Sequence, residues 1–147
     1  MTETIAATRS VVIEQEMPHP PEKVWRALTQ QALIAEWLMD NDFEAEVGHR
    51  FRLRAEPAPN WNGIVEGEVL TVEPHQRLVY TWGSGGDQAA SAPRTVVTWT
   101  LTPSQAGTLL RMEQSGFRPQ DEAGFKGASF GWRRFLGALE RVLANLA

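Results

Sequence analysis

Apolar residues near the C-terminus recur at alternating steps of three and four, the spacing of one helix face. The positions that share this spacing are Phe125, Ala128, Trp132, Phe135, Leu139, Val142 and Leu146. The pattern predicts one continuous helix over about residues 122–146. Its apolar face, with Trp132, Phe135 and Leu139, needs a covering surface, and a sheet is the obvious candidate.

Upstream of this helix the pattern changes to short segments of alternating apolar and polar residues, which is typical of strands. The predicted strands cover residues 10–17, 43–47, 50–54, 64–72, 77–82, 95–102 and 108–114. Two short helices, at 21–28 and 31–37, follow the first strand, and Pro21 suits a helix start. Because short turns join most of the strands, the sequence predicts an antiparallel sheet and an α+β fold.

Length and charge restrict the class of protein. The 147 residues suit a single domain, with a loose tail over residues 1–9. The chain has no cysteine, so disulfides and thiolate metal sites are excluded. A net charge of −4 argues against nucleic-acid binding, and no apolar run is long enough to span a membrane. The N-terminus does not resemble a signal peptide, and we expect a cytoplasmic protein.

Few residues indicate a reaction. The three histidines are scattered, so we predict no metal site, and the chain carries no cofactor motif. Residues 83–86 are glycine-rich but lack the lysine of a phosphate-binding loop, and a mobile loop over a cavity mouth is the alternative. Glu66 and Glu68 share one strand face. In an apolar cavity their pKa values would rise and suit acid–base chemistry, whereas on the outer face they would only aid solubility. Both parities of this strand are apolar, so the pattern leaves that choice open.

Several strings, taken in their order along the chain, resemble one family. They are Pro21-Glu22-Lys23-Val24-Trp25, Leu28-Thr29, Trp37, Val47-Gly48, Arg50-Phe51, Gly67, Val69, Pro74, Arg77 to Trp82, and Gly131-Trp132. Together they resemble the START-like (SRPBCC) helix-grip superfamily, in the branch of the activator of the 90-kilodalton heat-shock-protein ATPase. The resemblance implies a curved antiparallel sheet of about six strands wrapped on the C-terminal helix, with a cavity between them.

Within that family, members bind hydrophobic small molecules, contact a chaperone or act as polyketide cyclases. We expect binding of a small hydrophobic molecule between sheet and helix, with no catalysis required and no catalytic residue assigned. A chaperone-binding module and a cavity enzyme remain alternatives. Six tryptophans are many for one small domain, and several could line such a cavity, although core packing is the simpler reading. The predicted lining comprises Trp82, Trp99, Met112, Phe125 and Trp132, with Ser129, Glu66 and Glu68 as its polar groups.

Overall fold

The structure is a computed structural model that describes residues 8–59, 61–84 and 94–146. Its elements are β1 (Arg9–Met17), α1 (Pro21–Thr29), α2 (Gln31–Trp37), β2 (Asp40–Asn41), β3 (Arg50–Arg54), β4 (Ile64–Glu73), β5 (Arg77–Ser84), β6 (Thr95–Pro103), β7 (Thr108–Phe117), a 3₁₀ turn (Pro119–Asp121) and α3 (Glu122–Asn145). The predicted α+β helix-grip fold is confirmed, with seven strands in place of about six.

All seven strands form one antiparallel sheet in the order β1-β7-β6-β5-β4-β3-β2. The first strand begins at Arg9, which pairs with Phe117, so the predicted loose tail ends before that residue. The rest of the tail, residues 1–7, lies outside the described residues. The predicted mobile loop also lies mostly outside them, because residues 85–93 are not described and Gly83 and Ser84 belong to β5.

The predicted strand at 43–47 is wrong. Its alternation of apolar and acidic residues imitates a strand, but this segment is irregular and Val47 is 63% exposed. Side chains on its N-terminal side form turn-like bonds instead, since the Asn41 carboxamide accepts the Phe43 amide at 3.1 Å. The strand at this edge is the two-residue β2, which pairs with the end of β3.

The terminal helix is continuous, as predicted, but its buried face is rotated relative to the predicted stripe. Trp132 and Leu139 are buried as expected, and Leu136 and Leu143 join them. Phe135, expected in the core, is only partly buried. The helix packs against α1 and α2 as well as strands β1 and β7 of the sheet, and these neighbours decide which side of a broad apolar face turns inward. We call the sheet face beneath α3 the inner face.

One irregularity in β4 decides which of its side chains lie on the inner face. Val65 and Val69 are buried, and the pairing with β5 then shifts between Val69 and Thr71. Such a bulge reverses the alternation of side chains beyond it. Val72 therefore packs against the core, while Leu70 is 42% exposed. Odd- and even-numbered positions of this strand are both apolar, because the odd positions face the core before the bulge and the even positions face it beyond the bulge.

Candidate functional site

The structure brings three of the predicted tryptophans together beneath α3. The ring centroids of Trp82 and Trp132 lie 5.1 Å apart, and those of Trp99 and Trp132 lie 5.7 Å apart. Trp37 from α2 extends this cluster, with its centroid 5.8 Å from that of Trp99. Edge-on and tilted contacts at these distances are the arrangements that aromatic rings favour in protein cores. Within the cluster Trp82 is the tryptophan that remains partly exposed.

Three of the predicted lining residues are packed into this interior. Trp99 and Met112 expose 0% of their surface and Trp132 exposes 2%. A void between α2 and the sheet, bordered by Tyr80, measures about 10 Å³, which is at most the space of one water molecule. These three side chains form core contacts in the structure, so their role as a ligand wall stays a prediction.

Phe125 and Ser129 lie on the N-terminal part of α3, before Trp132. The Phe125 ring packs against Phe117 at 5.5 Å, and the Arg9 guanidinium lies 4.1 Å from its centroid. The Ser129 hydroxyl donates to the Phe125 carbonyl oxygen at 3.0 Å. The hydroxyl proton of Ser129 is therefore engaged in a bond within the helix. The role of Phe125 and Ser129 in ligand binding stays a prediction.

A buried polar chain crosses the aromatic cluster, and the sequence analysis missed it. The Trp132 indole N–H donates to Gln114 Oε1 at 2.6 Å, and Gln114 Nε2 donates to Thr95 Oγ1 at 2.8 Å. The Thr95 hydroxyl then donates to the Trp82 carbonyl oxygen at 3.0 Å. Because an indole N–H can only donate, it fixes the direction of every bond in the chain. The sequence did contain a signal for it, because alternation along β7 places Gln114 on the same inner face as Leu110 and Met112.

Tyr80 is the buried titratable group of this region. Its hydroxyl accepts the Trp99 indole N–H at 2.9 Å, and burial raises the pKa of the phenol well above its ordinary value of 10.0. Tyr80 is therefore a neutral phenol at physiological pH and does not supply a base there.

A groove lies on the other side of the sheet, opposite to α3. This groove of about 740 Å³ crosses β3 to β6 and has four arginines on its walls, so we call it the arginine groove. Its lining residues are Asp42, Arg50, Phe51, Arg52, Arg54, Glu66, Gly67, Glu68, Thr81, Trp82, Gly83, Ser84, Arg94, Thr95 and Val96.

Strand register explains why these residues meet. Arg52 pairs with Glu66, and Glu66 pairs with Gly83 on the next strand. Trp82 pairs with Thr95, so the antiparallel register places Arg94 beside Gly83. Because alternate residues point to opposite faces, all four members of this row lie on the outer face. Gly83 has no side chain, and it leaves a low point between the charged positions on either side.

The acidic residues of the arginine groove are already engaged. Glu66 accepts the Arg52 guanidinium, and Glu68 lies 3.7 Å from Arg50. Asp42 accepts the Arg52 backbone N–H at 2.7 Å.

The two remaining arginines of the groove lack such partners. Arg54 and Arg94 are exposed, and neither has a carboxylate within 4.0 Å among the residues that the structure describes. Among the described residues, therefore, no carboxylate occupies these two guanidinium groups, and both can take a ligand.

Glu66 and Glu68 do not lie in an apolar cavity. Their side chains are 39% and 43% exposed on the outer face, each beside an arginine. The bulge in β4 begins only after these residues and leaves them on the side opposite to Val65 and Val69. The acid–base role that burial would have supported therefore loses its physical basis. Both glutamates instead join Trp82 in lining the arginine groove.

Comparison with known families and structures now adds to the geometry. A family model described as Activator of Hsp90 ATPase homolog 1-like protein matches residues 18–144. A comparison with curated proteins finds no match. No helix among the described residues is long and apolar enough to cross a membrane.

Three solved structures are similar over nearly the whole chain. Protein MLL2253 from Mesorhizobium loti is 51% identical, with a TM-score of 0.86, over 95% of this chain and 99% of that one. CalU16 from Micromonospora echinospora is 26% identical, with a TM-score of 0.75, over 94% and 78% of the two chains. DynU16, from the dynemicin biosynthetic locus, is 26% identical with a TM-score of 0.77, and the match covers 92% of this chain but 47% of that one.

Proposed function

The chain belongs to the family described as Activator of Hsp90 ATPase homolog 1-like protein, and we propose that it binds a small organic molecule in the arginine groove. The convergence of four arginines on a groove of this volume carries the proposal. About 740 Å³ lies within the range of roughly 300–1,000 Å³ that is typical of small-molecule sites. The void near Tyr80 is smaller by more than an order of magnitude.

The lining offers an apolar surface beside polar groups. Val96 and Thr81 pair across β5 and β6 and lie on the outer face next to Gly83. Trp82 also borders the groove, but its ring lies on the inner face, where it contacts Trp132 and stacks on Tyr80 with centroids 6.4 Å apart. A small molecule can therefore lie on Val96 and direct its polar groups to the walls. DynU16 is a similar protein described as belonging to the dynemicin biosynthetic locus, which is consistent with small-molecule binding but names no ligand.

Binding of a small hydrophobic molecule between the sheet and α3 is the alternative location that we keep. It would require Trp99 and Met112 to leave their fully buried positions. Such a rearrangement has to overcome the cost of breaking close packing. The outer groove is open without that cost, and for this reason we place the ligand there.

We expect freshly purified protein to retain a small molecule that native mass spectrometry can detect. Val96→Trp places a large ring in the groove and should abolish that retention. Val12→Trp is the matched control, since Val12 lies 46% exposed on the outer face of β1, outside the groove lining. If both variants retain the ligand equally, the ligand binds outside the groove. Loss of the ligand from Trp99→Ala, a variant that opens the interior, would then favour binding between the sheet and α3.

Contact with a chaperone is a second candidate function, and one surface favours it. Phe130 is 67% exposed on α3, and Lys126, Arg133 and Arg134 lie one turn away from it. An exposed aromatic ring among cations suits contact with an acidic protein surface. Phe130→Ala should weaken binding to the chaperone of the same cell by about tenfold if this ring is an interface anchor. Unchanged affinity in a pull-down or calorimetric titration would exclude this surface.

A further inference from the structure

We propose that the ligand of the arginine groove is an organic anion, in which an apolar body carries a carboxylate or phosphate group that Arg54 or Arg94 binds. This inference rests on the proposed function and names the chemical class of its ligand. A guanidinium offers a planar fork of N–H donors that matches both anions.

The charge balance of the groove differs from that of the whole chain. The groove has four arginines and three carboxylates, whereas the protein has a net charge of −4. Each of the three carboxylates already accepts a hydrogen bond or lies beside an arginine. The excess positive charge therefore lies on Arg54 and Arg94. A locally positive concave site on an acidic protein attracts anions to one place.

The sheet also sets the size of the ligand. Arg54 lies on β3 and Arg94 directly precedes β6, with two strands between them. Three strand spacings separate the two backbones by roughly 14 Å. An acidic group cannot lie next to both backbones at that separation. The side chain of Arg54 or of Arg94 can, however, reach an acidic group of a ligand whose apolar part lies across Gly83 and Val96. A molecule with an acidic group at each end would engage both arginines.

The ion pair of Arg52 provides an internal control. Its guanidinium is held by Glu66 and donates from both Nε and Nη2. Glu66→Gln removes one negative charge from the groove and weakens this hold on Arg52. Anion binding should therefore become several-fold tighter in Glu66→Gln, whereas binding of an uncharged molecule should stay constant.

We expect 2-naphthoate to bind in the groove and 2-naphthamide, with the same body but no charge, to bind at least about tenfold more weakly. Calorimetry gives the two affinities, and amide shifts of Thr81, Gly83 and Val96 in NMR spectra locate the site. Val96→Glu should weaken naphthoate binding much more than Val96→Gln, since these side chains differ in charge but hardly in size. Arg94→Gln and Arg54→Gln should lower the affinity in the same way, while Arg141→Gln on the exposed face of α3 should leave it unchanged.

The outcomes separate this inference from the proposed function. Equal affinity for naphthoate and naphthamide, with shifts at the groove amides, would overturn the anion inference and leave small-molecule binding intact. Tighter binding of naphthoate to Val96→Glu than to Val96→Gln would overturn it too. If neither compound shifts the groove amides and the purified protein retains no ligand, both proposals fall.

Discussion

Replacing Leu139 with alanine is expected to lower the free energy of unfolding by about 2–5 kcal/mol. Leu139 exposes none of its surface and lies on the face of α3 that closes the core. Truncation removes buried methyl groups and leaves a space that the surrounding helices and sheet can fill only in part. Urea denaturation followed by circular dichroism measures the change through its midpoint and slope.

Phe130→Ala is the matched control for this measurement. It introduces the same residue into the same helix, and alanine is the best helix former, so any difference between the two variants reports burial. Because Phe130 is exposed, its variant should change stability by less than about 0.5 kcal/mol. Similar losses in both variants would mean that the buried face of α3 is not the one described.

The second large effect concerns the polar chain beneath α3. Gln114→Leu should lower the free energy of unfolding by about 1–3 kcal/mol, because it leaves the buried Trp132 indole N–H without an acceptor. The indole N–H loses its bond to Gln114 Oε1, whereas the Thr95 hydroxyl loses the bond from Gln114 Nε2 but keeps its own bond to the Trp82 carbonyl oxygen. Leucine is close to glutamine in size, so the loss would come from hydrogen bonding more than from packing.

A double-mutant cycle with Trp132→Phe tests that cause. Phenylalanine has no N–H, so Gln114→Leu should cost less in the Trp132→Phe background than in the parent protein. Equal costs in the two backgrounds would contradict a bond between Gln114 and Trp132. A cost below about 1 kcal/mol in the parent protein would show that the chain contributes little to stability.

Much of the secondary structure could be predicted because its signals are local. The spacing of apolar residues placed α3, and Pro21 marked the start of α1 at the observed residue. The strand prediction for residues 43–47 failed because an alternating pattern of only five residues also occurs by chance in loops. Its structure depends on side-chain bonds such as the one from Arg52 N–H to Asp42, which join residues ten apart.

The candidate site was only partly predictable. Convergence of Trp82, Trp99 and Trp132 followed from their places on β5, β6 and α3 in a helix-grip fold, and the structure brings them together. The arginine groove was not predicted, although Arg50, Arg52 and Arg54 occupy alternate positions of the predicted strand at 50–54. Its far wall, Arg94, lies forty residues further along the chain, and only the pairing of four strands places it there.

The sequence by itself determined the order of the elements, the antiparallel sheet and the length of the terminal helix, because each depends on neighbours along the chain. Tertiary structure decided which residues face inward. On α3 the choice of Leu136 over Phe135 came from packing against α1, α2 and β1. On β4 a bulge reversed the alternation, and cross-strand pairing left Glu66 on the outer face beside Arg52. Both outcomes depend on contacts between distant segments, which the periodicity of a single segment does not contain.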